Sequence, residues 1–573
     1  MKKMTFLIFF ILIACKDNQP ISEAINTKGM APNNVSDLDD YLDRLTPFGF
    51  SGAVLVIQND QVVLNKGYGY ANYATKQLNG PETIFPLQSI SKTFTATGIL
   101  KLQMLGKLKL EDPISLFLEV PQDKEKITIA QLLSHSSGIV TGTNHYYAPM
   151  DKHGLISKVL SEPLLFSPGT DIAYSNIGYS LLAAIIEETS GLSYEAFLDT
   201  YIFEILGMQS TGHANLIETK RNFATQYKDD FSNSSPIHKE EGDWNFVGSG
   251  NLMTSTSDLY KWAMAIKNND ILSKELSQQM FSSTNRYDRM GWFIGDSDYG
   301  KLIEHDGGSS KGSAANFRWY PDKNTFVIIF SNNNGEGMLF GNNLVDKIDQ
   351  ILFNGPDNAK FPPELAEAPD DFRDVFKTYY FSTTDSLTIQ AKEKQYSLQV
   401  YGNSAINSLL GNEDFESMND LNSKAIEAMN FVIANDSINY KKNLNNSSKA
   451  TFFGYIRQMI QSDNQFGQFK KFEIEATIKD WMIPDGYGMS FVKLIFDEGE
   501  KRFRLHWTAE GILALGGSGI PTPSEIDMFP QSENTMVGFH LASEQTIVLT
   551  YKQNANGVSS VVLNGQEAFE KHK

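Results

Sequence analysis

The stretch that decides the fold is Pro86-Leu87-Gln88-Ser89-Ile90-Ser91-Lys92, where a segment broken by proline becomes a helix. Residues 91–105 contain no proline and one glycine, and their apolar side chains recur at helical spacing. Ser89 is therefore expected in the first turn of the helix, where backbone N–H groups point outward without a partner. Lys92 follows three residues later, so its ammonium lies on the same helix face as the Ser89 hydroxyl.

Ser89 and Lys92 form a candidate pair of nucleophile and base. A serine hydroxyl is a weak nucleophile at neutral pH unless a base lies beside it. Burial lowers the pKa of a lysine, and the neutral amine can then accept the hydroxyl proton. The pattern Ser-x-x-Lys also occurs by chance on helix surfaces, so this pair alone is a weak indication of catalysis.

A second motif, Tyr174-Ser175-Asn176, stands between a turn at Ser167-Pro168-Gly169-Thr170 and an apolar helix predicted over 177–186. Tyr174 offers a phenol that can carry a proton near Ser89. Asn176 offers an amide that can hold a substrate carbonyl or N–H group.

A third motif, His305-Asp306-Gly307-Gly308, ends a short extended stretch over 302–304. Its glycines allow the backbone of a substrate to lie against the strand. All three motifs fall in this order within one stretch of domain size, which is a much stronger indication than any one of them.

These motifs resemble those of the penicillin-recognising serine hydrolases, on the branch of class C β-lactamases and D-alanyl-D-alanine peptidases. The resemblance covers 35–355 and includes LLSHSSGI (132–139), FSPGTDIAYSNIGY (166–179) and GSGNLMTSTSDL (248–259). It implies that Ser89 is acylated and that Lys92 and Tyr174 move its proton to the leaving group. It also implies an oxyanion hole from the N–H groups of Ser89 and Gly308, with Asn176, His305 and Gly307 among the substrate-binding residues. His135, in the first signature, is interpreted as structural.

The pattern of elements predicts an α/β (α+β) fold for 35–355. Strands are predicted at both ends of this region, over 52–57, 61–64, 316–320 and 325–330, with helices between them and a last helix over 339–353. Such an order gives an antiparallel sheet flanked by helices. The resemblance implies the same fold, of the β-lactamase and DD-peptidase kind, with an all-helical subdomain.

Prolines mark a boundary, and 356–368 is predicted to be a linker. The region 369–573 is predicted to be a β-rich accessory domain, as a barrel with an α+β insertion. Strands are expected over 386–391, 396–400, 490–496, 503–507, 546–551 and 559–563, and helices over 420–433 and 448–460. Relatives often carry a lipocalin-like domain here, but this region is longer than such a domain.

The N-terminus predicts export. Residues 1–14 have Lys2 and Lys3 before a short apolar run, which is typical of a signal peptide. The run ends at Cys15, the one cysteine of the 573 residues, and resembles a bacterial lipoprotein signal. We therefore expect a lipidated Cys15, a polar tether over 15–34, and a protein anchored in the periplasm or cell envelope.

Charge and composition restrict the partners. The formal net charge is −19, two units more negative once Lys2 and Lys3 leave with the signal. This argues against nucleic acid or anionic lipid as a partner, and leaves a small-molecule or peptide substrate, with membrane contact through the lipid anchor only. No metal-ligand spacing and no cofactor motif is present, so neither a metal nor a cofactor is expected.

Residues 308–312 match Gly-x-Ser-x-Gly with Ser310 as the serine, but a strand is predicted after them where a nucleophile elbow needs a helix.

Two functions stay open: a hydrolase with a Ser89 acyl-enzyme, or a sensor or binding protein on the same fold that is acylated without turnover.

The third motif departs from relatives that bind a substrate carboxylate, since Asp306 stands where they carry Thr or Ser. An aspartate near that carboxylate would disfavour binding. We therefore expect poor hydrolysis of penicillins and of peptides with a free D-alanine carboxylate, and better hydrolysis of neutral esters or peptides presenting a free amine. The alternative is that Asp306 points away from the cleft into the sheet.

Overall fold

The computed structural model describes most of the chain after residue 31. The described residues are 32–140, 150–213, 222–227, 234–235, 244–282, 290–309, 312–333, 344–366, 377–382, 385–392, 395–410, 415–439, 456–457, 460, 467–480, 487–508, 513–518, 524–540, 543–553 and 559–570. Cys15, the predicted signal peptide and Ser310 lie outside them.

The first part of the chain is built around a six-stranded antiparallel sheet. Its strands and the short strands beside it are β1 (Gly52–Gln58), β2 (Gln61–Tyr68), β3 (Tyr70–Asn72), β4 (Gln77–Leu78), β5 (Phe85–Pro86), β6 (Gly212–His213), β7 (Gln226–Tyr227), β8 (Ser234–Ser235), β9 (Leu252–Thr254), β10 (Phe293–Ser297), β11 (Gly300–Gly308), β12 (Ala314–Tyr320) and β13 (Thr325–Ser331). The order in the main sheet is β10-β11-β12-β13-β1-β2.

Helices cover both faces of this sheet. They are α1 (Pro32–Leu45), α2 (Ser91–Met104), α3 (Ile129–Leu133), α4 (Lys152–Ser161), α5 (Asn176–Ser190), α6 (Tyr194–Leu198), α7 (Glu204–Leu206), α8 (Thr256–Asn268), α9 (Lys274–Phe281) and α10 (Leu344–Asn354). A π-helical stretch, Asp199–Phe203, joins α6 to α7.

The central strands are buried on both sides, which explains their continuous apolar sequences. In β1, Ala53, Leu55 and Ile57 pack into the core that contains α2 and α5. Val54 and Val56 pack into a second core with α1 and α10. The helical layer that carries α2 therefore lies on one face of the sheet, and the two terminal helices lie on the other.

Helix α1 begins at Pro32, so the last three residues of the predicted tether over 15–34 are helical, and 15–31 lie outside the described residues. Leu38, Leu42 and Leu45 recur at helical spacing and are fully buried against the sheet. Of the last predicted helix, over 339–353, residues 344–353 are observed in α10, and 339–343 lie outside the described residues.

The C-terminal region is β-rich, as predicted. Its elements are β14 (Thr378–Tyr380), β15 (Ser386–Lys392), β16 (Gln395–Tyr401), α11 (Asn403–Leu409), α12 (Phe415–Ile433), β17 (Phe469–Lys479), β18 (Gly488–Phe496), β19 (Glu500–Trp507), β20 (Leu513–Ser518), β21 (Glu525–Ser532), β22 (Thr535–His540), β23 (Gln545–Gln553), β24 (Ser559–Leu563) and β25 (Gln566–Glu570). Of the predicted helix over 448–460 the structure describes Ile456, Arg457 and Ile460, all helical.

Two sheets make up this region. Strands β14-β15-β16-β21-β22-β23-β24-β25 form a closed barrel, and β17-β18-β19-β20 form a separate sheet inserted between β16 and β21. Helix α12 packs on the inserted sheet through Leu421, Ala425 and Met429.

Aromatic side chains join the barrel to the first region. The ring centroid of Phe48 lies 5.2 Å from that of Phe529 and 5.9 Å from that of Phe539. Lys347 on α10 forms an ion pair of 2.6 Å with Glu544. Because Phe539 belongs to the core of α1 and α10, the barrel packs on the sheet face opposite α2.

Within the described residues, no helix combines the length and the apolar character needed to cross a membrane. The same residues contain no group of three or more His, Cys, Asp or Glu side chains placed to hold a metal ion.

Candidate active site

Ser89 lies where a short 3₁₀ turn, Gln88–Ile90, runs directly into α2. Its side chain is half-buried, so it stays within reach of a substrate. The Nζ atom of Lys92 is 3.2 Å from its Oγ atom. The i, i+3 spacing read from the sequence therefore brings the candidate nucleophile and the candidate base together.

Lys92 is fully buried, although it carries a group that water solvates strongly. Its Nζ donates a hydrogen bond of 2.7 Å to the backbone oxygen of Ser249 and lies 4.9 Å from the ring centroid of Tyr174. Burial lowers the pKa of Lys92 well below its ordinary value, and Asp306 opposes this in part. A lysine in this environment holds its proton weakly.

Tyr174 stands just before α5, with its ring over Lys92 and 37% of its surface exposed. The turn that carries it is held by residues 134–140. Ser175 donates its N–H to Nδ1 of His135 at 3.0 Å and its hydroxyl to the backbone oxygen of Val140 at 2.8 Å. Tyr174 therefore borders both the base and the open side of the site.

Asn176 is the first residue of α5 and is half-buried. Ser175 caps this helix, because its hydroxyl accepts the N–H of Gly178 at 3.0 Å. The cap fixes the direction in which the chain enters α5, and with it the place of Asn176 two residues after Tyr174.

The third motif forms the C-terminal half of β11, a longer strand than the sequence predicts. Gly307 must be a glycine, since a Cβ atom there would lie 2.7 Å from the backbone nitrogen of Ser89. Gly308 is exposed and pairs with Ala314 of β12. Gly307 thus brings the strand against the N-terminus of α2, and Gly308 follows at the mouth of the site.

The outer edge of this half-strand is open. Strand β10 reaches only to Phe293, which pairs with Glu304. Residues 305–308 pair with β12 on one side, and no described strand pairs with their other side. An extended substrate can therefore lie along this edge next to Ser89.

His305 is buried beside the base. Its Nδ1 donates to the backbone oxygen of Asp306 at 2.7 Å, and its ring centroid lies 4.8 Å from that of Phe293. Burial, and second the charge of Lys92, lower the pKa of His305 to about 3. The imidazole is therefore neutral near pH 7.

The side chain of Asp306 points away from the cleft, which is the alternative orientation given in the sequence analysis. Successive side chains of a strand alternate between its faces, so Asp306 shares a face with Glu304 and not with Gly307. Burial and the charge of Glu304 raise the pKa of Asp306, whereas Arg318 and Lys92 lower it. Arg318 is itself paired with Glu304 and with Asp349 of α10. The side chain thus belongs to the charged network behind the sheet.

Two contributors to the site, Ser249 and Gln88, were not assigned from the sequence, and a third, His135, was interpreted there as structural. Ser249 supplies the backbone acceptor for Lys92, and His135 holds the turn of Tyr174. Ser249 lies within the signature GSGNLMTSTSDL and His135 within LLSHSSGI, so the signatures were the sequence feature that could have indicated both residues. Gln88 has a left-handed backbone with φ of 48°, and nothing in its local sequence indicated this.

Residues 308–312 are no nucleophile elbow, because β12 follows antiparallel to β11.

The sequence pattern that defines the β-lactamase family matches residues 48–348, just over half of the chain. The chain belongs to the β-lactamase family. The match contains Ser89, Lys92, Tyr174 and the third motif, and it extends through the main sheet to the middle of α10.

Relatives of this β-lactamase family member include two penicillin-binding proteins of Bacillus subtilis. One, named PbpX, is 31% identical over 55% of this chain and 78% of its own length. The other is 29% identical over 54% of this chain and 73% of its own length. Protein flp of Staphylococcus aureus (strain N315) is 31% identical over 50% of this chain and 60% of its own.

A similar fold occurs in the octameric penicillin-binding protein homologue from Pyrococcus abyssi. The similarity covers 94% of this chain and all of that chain, with a TM-score of 0.50 and 18% identity. At this level of identity, the similarity is evidence for the fold alone.

Proposed function

We propose that this protein is a serine hydrolase that works through an acyl-enzyme on Ser89. The observation that carries the proposal is the fully buried Lys92, whose Nζ lies 3.2 Å from the Ser89 hydroxyl oxygen. Burial lowers the pKa of Lys92, so its amine is available without a proton more readily than that of an ordinary lysine, and a neutral amine is the state a general base needs.

In the first step, Lys92 accepts the hydroxyl proton while the Ser89 oxygen bonds to the substrate carbonyl carbon. The carbonyl electron pair moves to its oxygen, which accepts hydrogen bonds from the N–H groups of Ser89 and Gly308. The bond to the leaving group then breaks, and the leaving group receives the proton from Lys92 through the Tyr174 phenol. Attack by water on the ester reverses these roles and releases the acid.

We propose esters, amides or D-amino-acid peptides as substrates, with β-lactams and other free acids as poor ones. The reason differs from the one drawn from the sequence, since Asp306 lies on the far face of β11. The reason is now His305, whose imidazole is neutral near pH 7 because burial, the larger cause, lowers its pKa to about 3. A neutral imidazole gives a substrate carboxylate no opposite charge.

We propose further that the protein is an exported bacterial lipoprotein, anchored through Cys15 in the periplasm or cell envelope. The apolar run before Cys15 supports this. Its partners are then the small-molecule or peptide substrate and, through the anchor only, the membrane. The acidic net charge argues against nucleic acid.

A fluorophosphonate probe followed by peptide mapping tests the nucleophile. Wild-type protein and the control variant Ser310→Ala should be labelled, and Ser89→Ala should not, with an unchanged thermal melt. Labelling that persists in Ser89→Ala contradicts the proposal.

A chromogenic ester separates the hydrolase from a sensor that is acylated without turnover. A hydrolase shows a burst and then a steady release of product, whereas a sensor stops after one equivalent. Absence of the steady phase with every ester and D-amino-acid amide tried would replace the hydrolase by the sensor.

A further inference from the structure

Gln88, directly before the nucleophile, has an unusual backbone conformation. Its φ of 48° lies in the left-handed region, which side-chain-bearing residues rarely adopt. Such a conformation costs free energy and persists only where surrounding contacts hold it. Here the strained residue sets the direction of the Ser89 N–H group.

The side chain of Gln88 begins a chain of hydrogen bonds that leads away from the nucleophile. Its Nε2 donates to the Ser313 hydroxyl at 3.0 Å, and that hydroxyl donates to Oε1 of Gln226 at 2.7 Å. Ser313 is 1% exposed and Gln226 is 3% exposed. Because the single hydroxyl proton points to Gln226, the Ser313 lone pairs are free to accept from Gln88.

This chain ends beside the strand that carries the third motif. Ser313 precedes Ala314, which pairs with Gly308 of β11. On the same strand, a Cβ atom at Gly307 would lie 2.7 Å from both the Ser89 nitrogen and the Gln88 Cβ atom. The backbone before the nucleophile and the backbone of Gly308 are therefore tied together through Gln88 and Ser313.

We propose that Gln88, Ser313 and Gln226 form a positioning chain that sets the distance between the N–H groups of Ser89 and Gly308. The inference rests on the proposed function, since these N–H groups would hold the oxyanion. None of the three side chains needs to touch the substrate. Their effect is on transition-state stabilisation, which depends on donors placed where negative charge develops.

The test uses Gln88→Met, which keeps the length of the side chain and the backbone demand but removes the donor. With an ester substrate, kcat should fall on the order of 10-fold or more, because a small misplacement of catalytic groups is costly. KM should stay within about twofold, since ground-state binding is retained. A structural defect alone would lower the melting temperature and leave kcat per folded enzyme unchanged.

A double-mutant cycle with Ser313→Ala provides the control. If the two side chains act as one chain, the double variant should lose no more kcat than the worse single variant. Independent, additive losses, or a Gln88→Met enzyme with wild-type kcat, overturn the inference.

A wild-type protein without any turnover would refute the proposed function, and not the chain itself. In that case, hydrogen exchange of peptides covering 312–320 tests whether the positioning chain exists. Faster exchange in Gln88→Met than in wild type supports the positioning chain, and equal exchange overturns it.

Discussion

The ring of His135 lies against the ring of Tyr174, with centroids 4.5 Å apart and planes at 33°. The same imidazole accepts the N–H of Ser175 through Nδ1. One buried side chain thus holds the phenol by its face and the following backbone by a hydrogen bond.

The backbone around His135 is shaped for this contact. His135 has φ of 55°, and its carbonyl accepts the N–H of Ala173 at 3.0 Å. Gly138 has φ of 73°, and a Cβ atom there would lie 2.2 Å from the carbonyl oxygen of Phe166. The segment that holds the Tyr174 turn therefore depends on residues in the left-handed region.

The first prediction concerns Tyr174. Tyr174→Phe keeps the ring over Lys92 and beside His135 but lacks the phenol, so kcat should fall by roughly 10²-fold, as for the loss of a proton-transfer group. Steady-state kinetics on a chromogenic ester measure this. His135→Phe serves as the partner variant, and its smaller loss should come from misplacement of the same ring. Wild-type kcat in Tyr174→Phe would remove the phenol from the proton path.

The second prediction concerns Lys92. Lys92→Met should lower kcat by roughly 10²-fold or more, since the base is lost. In wild type, activity should fall on the acid side, where Lys92 becomes protonated, and this fall should lie well below pH 10.5, because burial lowers the pKa of Lys92. Lys101→Met on the same helix is the matched control and should leave the pH–rate profile unchanged. An activity that appears only near pH 10 would mean that Lys92 has an ordinary pKa.

The third prediction concerns substrate charge. The ratio of kcat/KM for a free acid to that for its methyl ester should be low, and constant between pH 5 and pH 8. The reason is that His305, with a pKa of about 3, stays neutral over this range. A histidine of ordinary pKa would become charged below about pH 6.5 and improve the free acid. A ratio that rises toward pH 5 therefore contradicts this interpretation.

The fourth prediction concerns Cys15. Cys15→Ser should move the protein from the membrane fraction to the soluble fraction of the expressing bacterium, because stable anchoring needs the acyl chains. Mass spectrometry of the wild-type N-terminus should show a lipidated Cys15. A mature chain that still begins at Met1 would contradict both expectations.

The fifth prediction concerns acid stability. His540 at the end of β22 is buried, which lowers its pKa to about 4. In the unfolded chain, the His540 imidazole becomes protonated below about pH 6.5. Stability is therefore lost as pH falls from about 6.5 to about 4, by about 1.4 kcal/mol per pH unit.

His540→Gln removes this loss. Denaturant unfolding of the two proteins at several pH values should show a difference in free energy that changes by about 1.4 kcal/mol per pH unit within that window. Above pH 7 the difference should be constant. Parallel curves throughout would show that His540 titrates alike in both states.

Local patterns carried much of the prediction. The spacing of Ser89 and Lys92 predicts both on one face of a helical segment, and their contact is observed where the 3₁₀ turn of Ser89 runs into α2. The hairpin of β1 and β2 was readable because an apolar run stops at Asn59 and Asp60, both of which have positive φ. The strands of the C-terminal region were recognised from alternation in the same way.

Features that depend on distant parts of the chain were not readable. The sequence left the orientation of Asp306 open. Arg318, whose charge acts on Asp306, lies on the neighbouring strand β12 and comes near it only because β11 and β12 pair in the sheet. Helix α1 was not predicted from the sequence, and its buried face of Leu38, Leu42 and Leu45 exists only because the sheet is there to cover it.

The sequence by itself determined the family, the fold class and the motif residues, because periodicity and short motifs are properties of neighbouring residues. The tertiary structure decided the environment of those residues: the burial of Lys92 against Ser249, the neutral His305, the support of Tyr174 by His135 and the closure of the barrel. These depend on packing between segments far apart in sequence. Burial, which sets the pKa of a lysine or a histidine, is a property of the whole fold.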